Sequence, residues 1–139
     1  QLSANLGLLD TEYEDYVNGA GEDLDGRDQA QAPSYHFSLA ADYQLADGLR
    51  LNVNLDGKDD YYFSAGHAEQ SPSYTLLHSA LSYSAGGWDL SFWGRNLADK
   101  DYFVRGFSFP NDPRDGYTST RWTQLGAPRQ FGVTAKASF

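Results

Sequence analysis

The dominant pattern along this chain is the alternation of apolar and polar residues, which predicts β-strands. In the segment 35–45, Phe37 and Leu39 fall on one side of an extended chain, and Ser38 and Asp42 fall on the other. The same period of two predicts about six strands, at residues 2–13, 35–45, 49–63 (at its furthest extent), 74–83, 88–97 or beyond, and 129–139. No segment shows a convincing 3.6-residue period, so the predicted fold class is all-β, an antiparallel up-and-down meander.

The connections between the predicted strands alternate strictly between short and long. Residues 46–48 and 84–87 form short turns, whereas residues 14–34, 58–73 and 98–128 form long loops. Because alternate connections of a meander lie on opposite sides, all short turns share one rim. Transmembrane barrels have this asymmetry, whereas the turns of a soluble β-sandwich or lipocalin-like barrel need not sort by length. The pattern therefore predicts a transmembrane β-barrel.

Strand parity predicts which side chains would face lipid. The residues expected on the outer, convex side are Leu39, Leu51, Val53, Leu90, Phe92 and Val133. Those expected on the inner, concave side are Asp42, Asn52, Asn54, Ser91 and Thr134. The last strand alternates up to an aromatic residue, Phe139, as expected for a strand that closes a barrel with an apolar outer face.

The composition of the chain excludes several classes of function. The chain has 139 residues and no cysteine, which predicts one domain without disulfides or cysteine-based redox chemistry. A formal net charge of −9 argues against nucleic acid as a partner. No apolar run is long enough for a transmembrane helix, and no signal peptide precedes the first strand pattern, so we expect a mature product or a fragment.

Three segments carry more specific motifs. Residues 96–102 read Asn-Leu-Ala-Asp-Lys-Asp-Tyr, residues 126–129 read Gly-Ala-Pro-Arg before the last strand, and residues 32–35 read Ala-Pro-Ser-Tyr. In order and spacing they resemble the C-terminal barrel end of TonB-dependent outer-membrane receptors. The resemblance covers nearly the whole chain.

The resemblance implies a 22-strand barrel that contains an N-terminal plug domain. The six predicted strands would then be part of a large transmembrane β-barrel, and alone they would form an open curved sheet. Residues 1–139 are then expected to be the C-terminal portion of the barrel, with the plug domain absent from them. The implied partners are outer-membrane lipid, the remaining strands and plug of the parent receptor, the TonB complex through the missing N-terminal part, and the outer-membrane assembly machinery, for which Phe139 is the expected assembly signal. The implied location is the bacterial outer membrane, and the implied role is uptake of a siderophore, vitamin or oligosaccharide.

The alternative is a small free-standing outer-membrane barrel or an adhesion module without a transport role. A plug and further strands encoded upstream would favour the receptor, whereas a signal peptide directly before Gln1 would favour the small barrel.

Candidate ligand contacts lie mainly in the longest loop, which mixes arginines with aromatic residues. That composition suits an anionic or aromatic ligand, through stacking and bidentate hydrogen bonds. The predicted contacts are Arg95, Arg105, Phe107, Phe109, Tyr117, Arg121 and Trp122. The same side chains could instead pack the loop onto its neighbours.

Polar residues elsewhere suggest weaker sites. The inward-facing set, which would line a lumen or form a solvated face, comprises His36, Asp42, Arg50, Asn52, Asn54, Asp56, His78, Asp89 and Arg95. Residues 10–28 carry eight carboxylates against one arginine, which could bind Ca²⁺ or attract a cationic ligand. They lack EF-hand spacing and a charge run is more often simply solvated, so no metal site is predicted. No nucleophile elbow or comparable motif is present, and therefore no catalytic residue, enzyme activity or cofactor is predicted.

Overall fold

The structure is a computed structural model that describes residues 1–138, and its main element is one six-stranded antiparallel sheet. The strands are β1 (Leu2–Leu8), β2 (Tyr35–Ala46), β3 (Leu49–Lys58), β4 (Tyr61–Tyr62), β5 (Gln70–Ser71), β6 (Tyr74–Ala85), β7 (Trp88–Arg95), β8 (Phe103–Phe109), β9 (Thr120–Leu125) and β10 (Gln130–Ala137). The order across the large sheet is β1-β2-β3-β6-β7-β10, while β4 pairs with β5 and β8 pairs with β9. The predicted six-stranded meander is therefore confirmed. Within residues 1–138, no helix is long and apolar enough to cross a membrane.

The strand register fixes which side chains share a face, because directly opposed residues project to the same side. Val53 of β3 opposes Ala41 of β2 and Ser79 of β6, and Leu81 of β6 opposes Phe92 of β7. By this register, all six residues predicted to face outward share one side, here called the apolar face. The five predicted to face inward share the other, here called the polar face.

The chain buries few apolar side chains for its length. Among residues 1–138, the buried apolar residues are Leu24, Tyr61, Phe63 and Leu76. The apolar face stays open instead: Phe92 is 55% exposed and Val133 is 71% exposed. A soluble sandwich packs its apolar faces into a core, so this sheet does not have that architecture.

Two strands end five residues earlier than predicted, because a strand extends only as far as its hydrogen-bonding neighbour. β1 ends at Leu8, which opposes Tyr35, the first residue of β2. β3 ends at Lys58, and the next two strand residues leave the large sheet to pair with Gln70–Ser71. Alternation within the sequence cannot reveal this change of partner.

The short and long connections lie at opposite rims, as the meander requires. The tight turn between β2 and β3 places Gly48 at a φ of 70°, a conformation that strains any residue with a Cβ. The other rim carries three long loops, here called the first (residues 9–34), second (59–73) and third (96–129) long loops. The N–H of Ser138 donates to the Gly87 carbonyl at 2.8 Å, which places the end of β10 at the tight-turn rim. Phe139 lies outside the described residues, so its predicted role as an assembly signal stays a prediction.

Candidate functional site

The third long loop is anchored by the buried side chain of Asn96, directly after β7. Its amide Nδ2 donates to the carbonyl oxygens of Lys100 (2.9 Å) and Ala127 (3.1 Å), and its Oδ1 accepts from the Lys100 backbone N–H (2.9 Å). Asn96 also adopts a φ of 48°, which asparagine tolerates better than most residues. One side chain therefore joins the start of the loop to its end.

Two further contacts join the same ends. Asp99 accepts from the backbone N–H of Arg129 at 3.0 Å and from its guanidinium Nη2 at 3.3 Å. The backbone N–H of Gly126 donates to the Tyr102 carbonyl at 2.8 Å, and the Tyr102 ring lies where a Cβ at position 126 would be. The motifs at residues 96–102 and 126–129 are thus two halves of one anchor.

We expect Asn96→Ala to destabilise this anchor. The substitution removes all three hydrogen bonds of the Asn96 side chain, which together contribute about 2–4 kcal/mol. Lys100→Ala is the matched control, because Lys100 contributes only backbone atoms to the anchor. Unfolding of the full-length protein in detergent measures the difference, and equal midpoints for the two variants would contradict the anchor.

The first and second long loops pack against each other. The guanidinium of Arg27 donates to the carbonyls of Ser64 (2.8 Å) and His67 (3.3 Å) and lies 4.3 Å from the centroid of the Tyr62 ring. The side-chain amide of Gln31 donates to the carbonyl of Phe63 at 2.9 Å. The arginine of the acidic segment therefore contacts the neighbouring loop, and none of the ion pairs found within residues 1–138 involves the carboxylates of residues 10–28.

A metal site is not assembled in the part of the chain that the structure describes. Among residues 1–138, no group of three histidine, aspartate or glutamate side chains could hold a metal ion together.

The second long loop supports the hairpin formed by β8 and β9. The Phe63 ring packs edge-on against Phe103, and the Tyr61 hydroxyl donates to the Phe103 carbonyl at 3.2 Å. A Cβ at Gly106 would lie 2.5 Å from the Phe63 ring, so only glycine permits this close approach. The sequence did not reveal this hairpin within the predicted loop.

The hairpin brings together four of the seven predicted ligand contacts. Phe107 directly opposes Trp122, and by strand alternation Arg105 and Phe109 share their side. Gly106 contacts the second long loop from the opposite side, so this aromatic face is free, with about half of each ring exposed.

The remaining three predicted contacts lie elsewhere. Arg121 opposes Ser108 on the other side of the hairpin. Tyr117 is 62% exposed and follows the 3-10 turn Pro113–Asp115 at the tip. Arg95 belongs to β7 in the wall. Contact of any of the seven residues with a ligand stays a prediction.

An exposed ion pair lies at the hairpin tip. The Arg114 guanidinium donates to both carboxylate oxygens of Asp112 and lowers the pKa of that carboxyl. Because the pKa is lowered in the folded state, the pair is fully formed above the usual value of 3.8. It is lost only as the pH falls through the lowered value.

A cavity of about 470 Å³ opens on the polar face beneath the anchor. Four neighbouring strands each supply one residue at the same level: Asn54 opposes His78, and Arg95 opposes Gln130. The other side of the cavity is formed by residues of the anchor, including Tyr102.

The histidine in this cavity is held in one tautomer. His78 Nδ1 accepts from the backbone N–H of Asn96 at 3.1 Å, and Nε2 lies 3.5 Å from Asp56 Oδ2. Since a backbone N–H can only donate, the neutral ring carries its proton on Nε2, toward Asp56. The sequence placed His78 and Asp56 on the inner face but did not predict the hydrogen bond from Asn96 to His78.

No family model matches the sequence. Solved structures do match the fold. The siderophore receptor PiuA from Acinetobacter baumannii is 20% identical over 96% of this chain and 18% of its own, with a TM-score of 0.74. The ferric-catecholate import receptor Fiu from E. coli K12 is 20% identical over 100% of this chain and 19% of its own, with a TM-score of 0.70.

The ferric yersiniabactin uptake receptor FyuA from Yersinia pestis matches 79% of the chain and 17% of its own, at 20% identity and a TM-score of 0.64. This chain has the fold of a barrel segment of siderophore receptors. The barrel segment spans about a fifth of the length of the first receptors it matches.

Proposed function

We propose that this chain forms part of the barrel wall of a TonB-dependent outer-membrane receptor for nutrient uptake. The observation that carries the proposal is an exposed apolar face on a six-stranded meander that matches a siderophore receptor over 96% of the chain. A face of this kind is favourable where its solvent is lipid. Residues 1–139 are then the C-terminal portion of the barrel, and the plug and TonB-engaging segment belong to the rest of the parent.

In this account each surface has a different environment. The apolar face contacts lipid, the polar face lines the lumen, the tight turns face the periplasm and the long loops face the outside. The location is the bacterial outer membrane, where the assembly machinery inserts the chain. Ligand capture by the loops is followed by displacement of the plug, which TonB drives.

Among nutrients, an iron chelate is the favoured class. The matched receptors are described as siderophore, ferric-catecholate and ferric-yersiniabactin receptors. Catecholates are aromatic and anionic, and the free face of the hairpin offers Phe107, Trp122 and Arg105 for stacking and ion pairing. We therefore assign this hairpin face to ligand capture.

The experiment measures binding and uptake of a radiolabelled ferric catecholate by the full-length protein. Phe107→Ala combined with Trp122→Ala should weaken binding about tenfold or more, as expected for exposed aromatic anchors. Thr123→Ala is the matched control, because Thr123 opposes Gly106 on the other side of the hairpin. Unchanged binding in the double variant would contradict the assignment.

The alternative of a small free-standing barrel has no support from the sheet. Closure would require β1 to pair with β10, yet within residues 1–138 each of these strands has one neighbour, β2 and β7 respectively.

Deletion of Phe139 from the full-length receptor should lower the amount inserted in the outer membrane. The reason is the resemblance, which implies that the assembly machinery reads this terminal aromatic residue. Immunoblots of outer-membrane fractions measure insertion, and affinity per inserted receptor should stay unchanged. Normal insertion after deletion would refute the role.

A further inference from the structure

Within the described residues, 1–138, the cavity on the polar face presents an arginine, Arg95, that has no acidic partner. The Arg95 guanidinium lies 5.2 Å from the centroid of the Trp93 ring. Within residues 1–138, no carboxylate lies within ion-pair distance of it. A guanidinium offers five N–H donors, two of which can bind one carboxylate side by side. Arg95 is therefore available to an anionic group that enters the cavity.

Hydrogen-bond acceptors line the same cavity from β3. The Asn54 amide Nδ2 donates to Asn52 Oδ1 at 2.7 Å, so the carbonyl oxygen of the Asn54 side chain remains an acceptor. Asp56 adds a negative charge, and about half of its side chain is exposed. His78 lies between the two ends, and the Asn96 N–H fixes its ring. The cavity thus has a cationic end, at Arg95, and an anionic end, at Asp56.

The strand spacing sets the distance between these ends. β6 separates β3 from β7, so their backbones lie about 10 Å apart at the usual spacing of neighbouring strands. Asp56 also lies two residues along β3 from the level of Arg95, so the backbones that carry the two charges are about 12 Å apart, a gap that the two side chains and a ligand of about dipeptide size can fill. A volume of about 470 Å³ is in the range of small-molecule sites.

We infer that this cavity is a subsite for a zwitterionic group of dipeptide size, with its carboxylate on Arg95 and its ammonium on Asp56. The inference rests on the proposed function, because a ligand reaches the polar face through a receptor lumen. It adds a chemical class that differs from the aromatic anion assigned to the hairpin. The rival occupant is a protein segment of the parent that fills the cavity permanently.

The test uses the full-length protein purified in detergent and three probes. Glycylglycine carries both charges, N-acetylglycylglycine lacks the ammonium and glycylglycine amide lacks the carboxylate. Calorimetric titration should show that glycylglycine binds about tenfold more tightly than either blocked probe, because each blocked probe loses a charge-assisted hydrogen bond. Equal binding of the three probes, or no binding because the cavity is filled, would overturn the inference.

Variants assign each charge to its residue. Arg95→Gln should abolish the preference for glycylglycine over its amide while keeping the preference over the acetylated probe, and Asp56→Asn should do the reverse. Lys136→Gln is the matched control, since Lys136 lies on the same polar face but opposes Asp89 near the tight-turn rim. An effect of Lys136→Gln as large as that of Arg95→Gln would indicate general charge screening and would overturn the site.

Failure of this inference and failure of the proposed function give different results. Selective dipeptide binding without outer-membrane location or ferric-chelate uptake would refute the proposed function and keep the subsite. Normal location and uptake without selective dipeptide binding would refute the subsite alone.

Discussion

Expressed alone in detergent, these 139 residues should associate into oligomers and should not form a stable folded monomer. β1 and β10 each pair on one side, so each leaves a row of backbone N–H and C=O groups without partners within residues 1–138. In an apolar solvent each unsatisfied group costs several kcal/mol, and only closed barrels avoid that cost. In water, the exposed apolar face favours association instead.

Light scattering combined with far-UV circular dichroism measures this outcome. We expect a β-rich spectrum and a mass of several chains, since free strand edges pair with other strands. Adding the remaining barrel strands of the parent in trans should reduce the self-association. A monodisperse monomer that keeps its spectrum on heating would contradict the open-wall account and favour a self-sufficient small domain.

A charge placed on the apolar face should destabilise the full-length protein far more than the same charge placed one residue away. Val53 lies near the middle of β3, between Ala41 and Ser79 on its neighbours. Val53→Arg should cost about 2–4 kcal/mol, the penalty for an arginine that faces lipid at the bilayer midplane. Asn54→Arg should cost much less, because the polar face lines the lumen.

Denaturant unfolding of the full-length protein in lipid vesicles compares the two variants. Both introduce the same side chain at neighbouring positions of one strand, so the added charge is matched. Equal loss of stability in the two variants, or a larger loss for Asn54→Arg, would contradict the lipid assignment of the apolar face.

Local patterns in the sequence were sufficient to predict the large sheet. Alternation identified its six strands, and the order of short and long connections identified the rims. Parity then assigned Leu39 and Val133 to one face although they lie on distant strands. This works because directly opposed residues of paired strands project to the same side, whatever the number of strands between them.

The sequence did not predict features that depend on contacts between residues far apart in the chain. Residues 9–13 alternate between apolar and polar side chains as a β-strand does. They do not extend β1, because β2 begins at Tyr35, which already pairs with Leu8. Tyr61 and Phe63 fall in the segment 49–63, which alternation assigns at its furthest extent to one strand of the large sheet. They are buried instead, because the second long loop lies between its neighbours and packs their rings against the hairpin.

The site was predicted in composition but not in arrangement. The motif at residues 96–102 was recognised as a resemblance, whereas its physical role depends on Ala127 and Arg129, about thirty residues away in sequence. The cavity beneath it gathers residues from four strands, and only the register places one residue of each strand at the same level: Asn54, His78, Arg95 and Gln130.

Accessibility along β3 tests the central claim most directly. The chain contains no cysteine, so single cysteines introduced at successive positions from Leu51 to Leu55 can each carry a fluorophore in the full-length protein, with any cysteines elsewhere replaced. In vesicles that contain brominated lipid, the account predicts strong quenching at positions 51, 53 and 55 and weak quenching at positions 52 and 54. Quenching that does not alternate, or that alternates with the opposite parity, would contradict it.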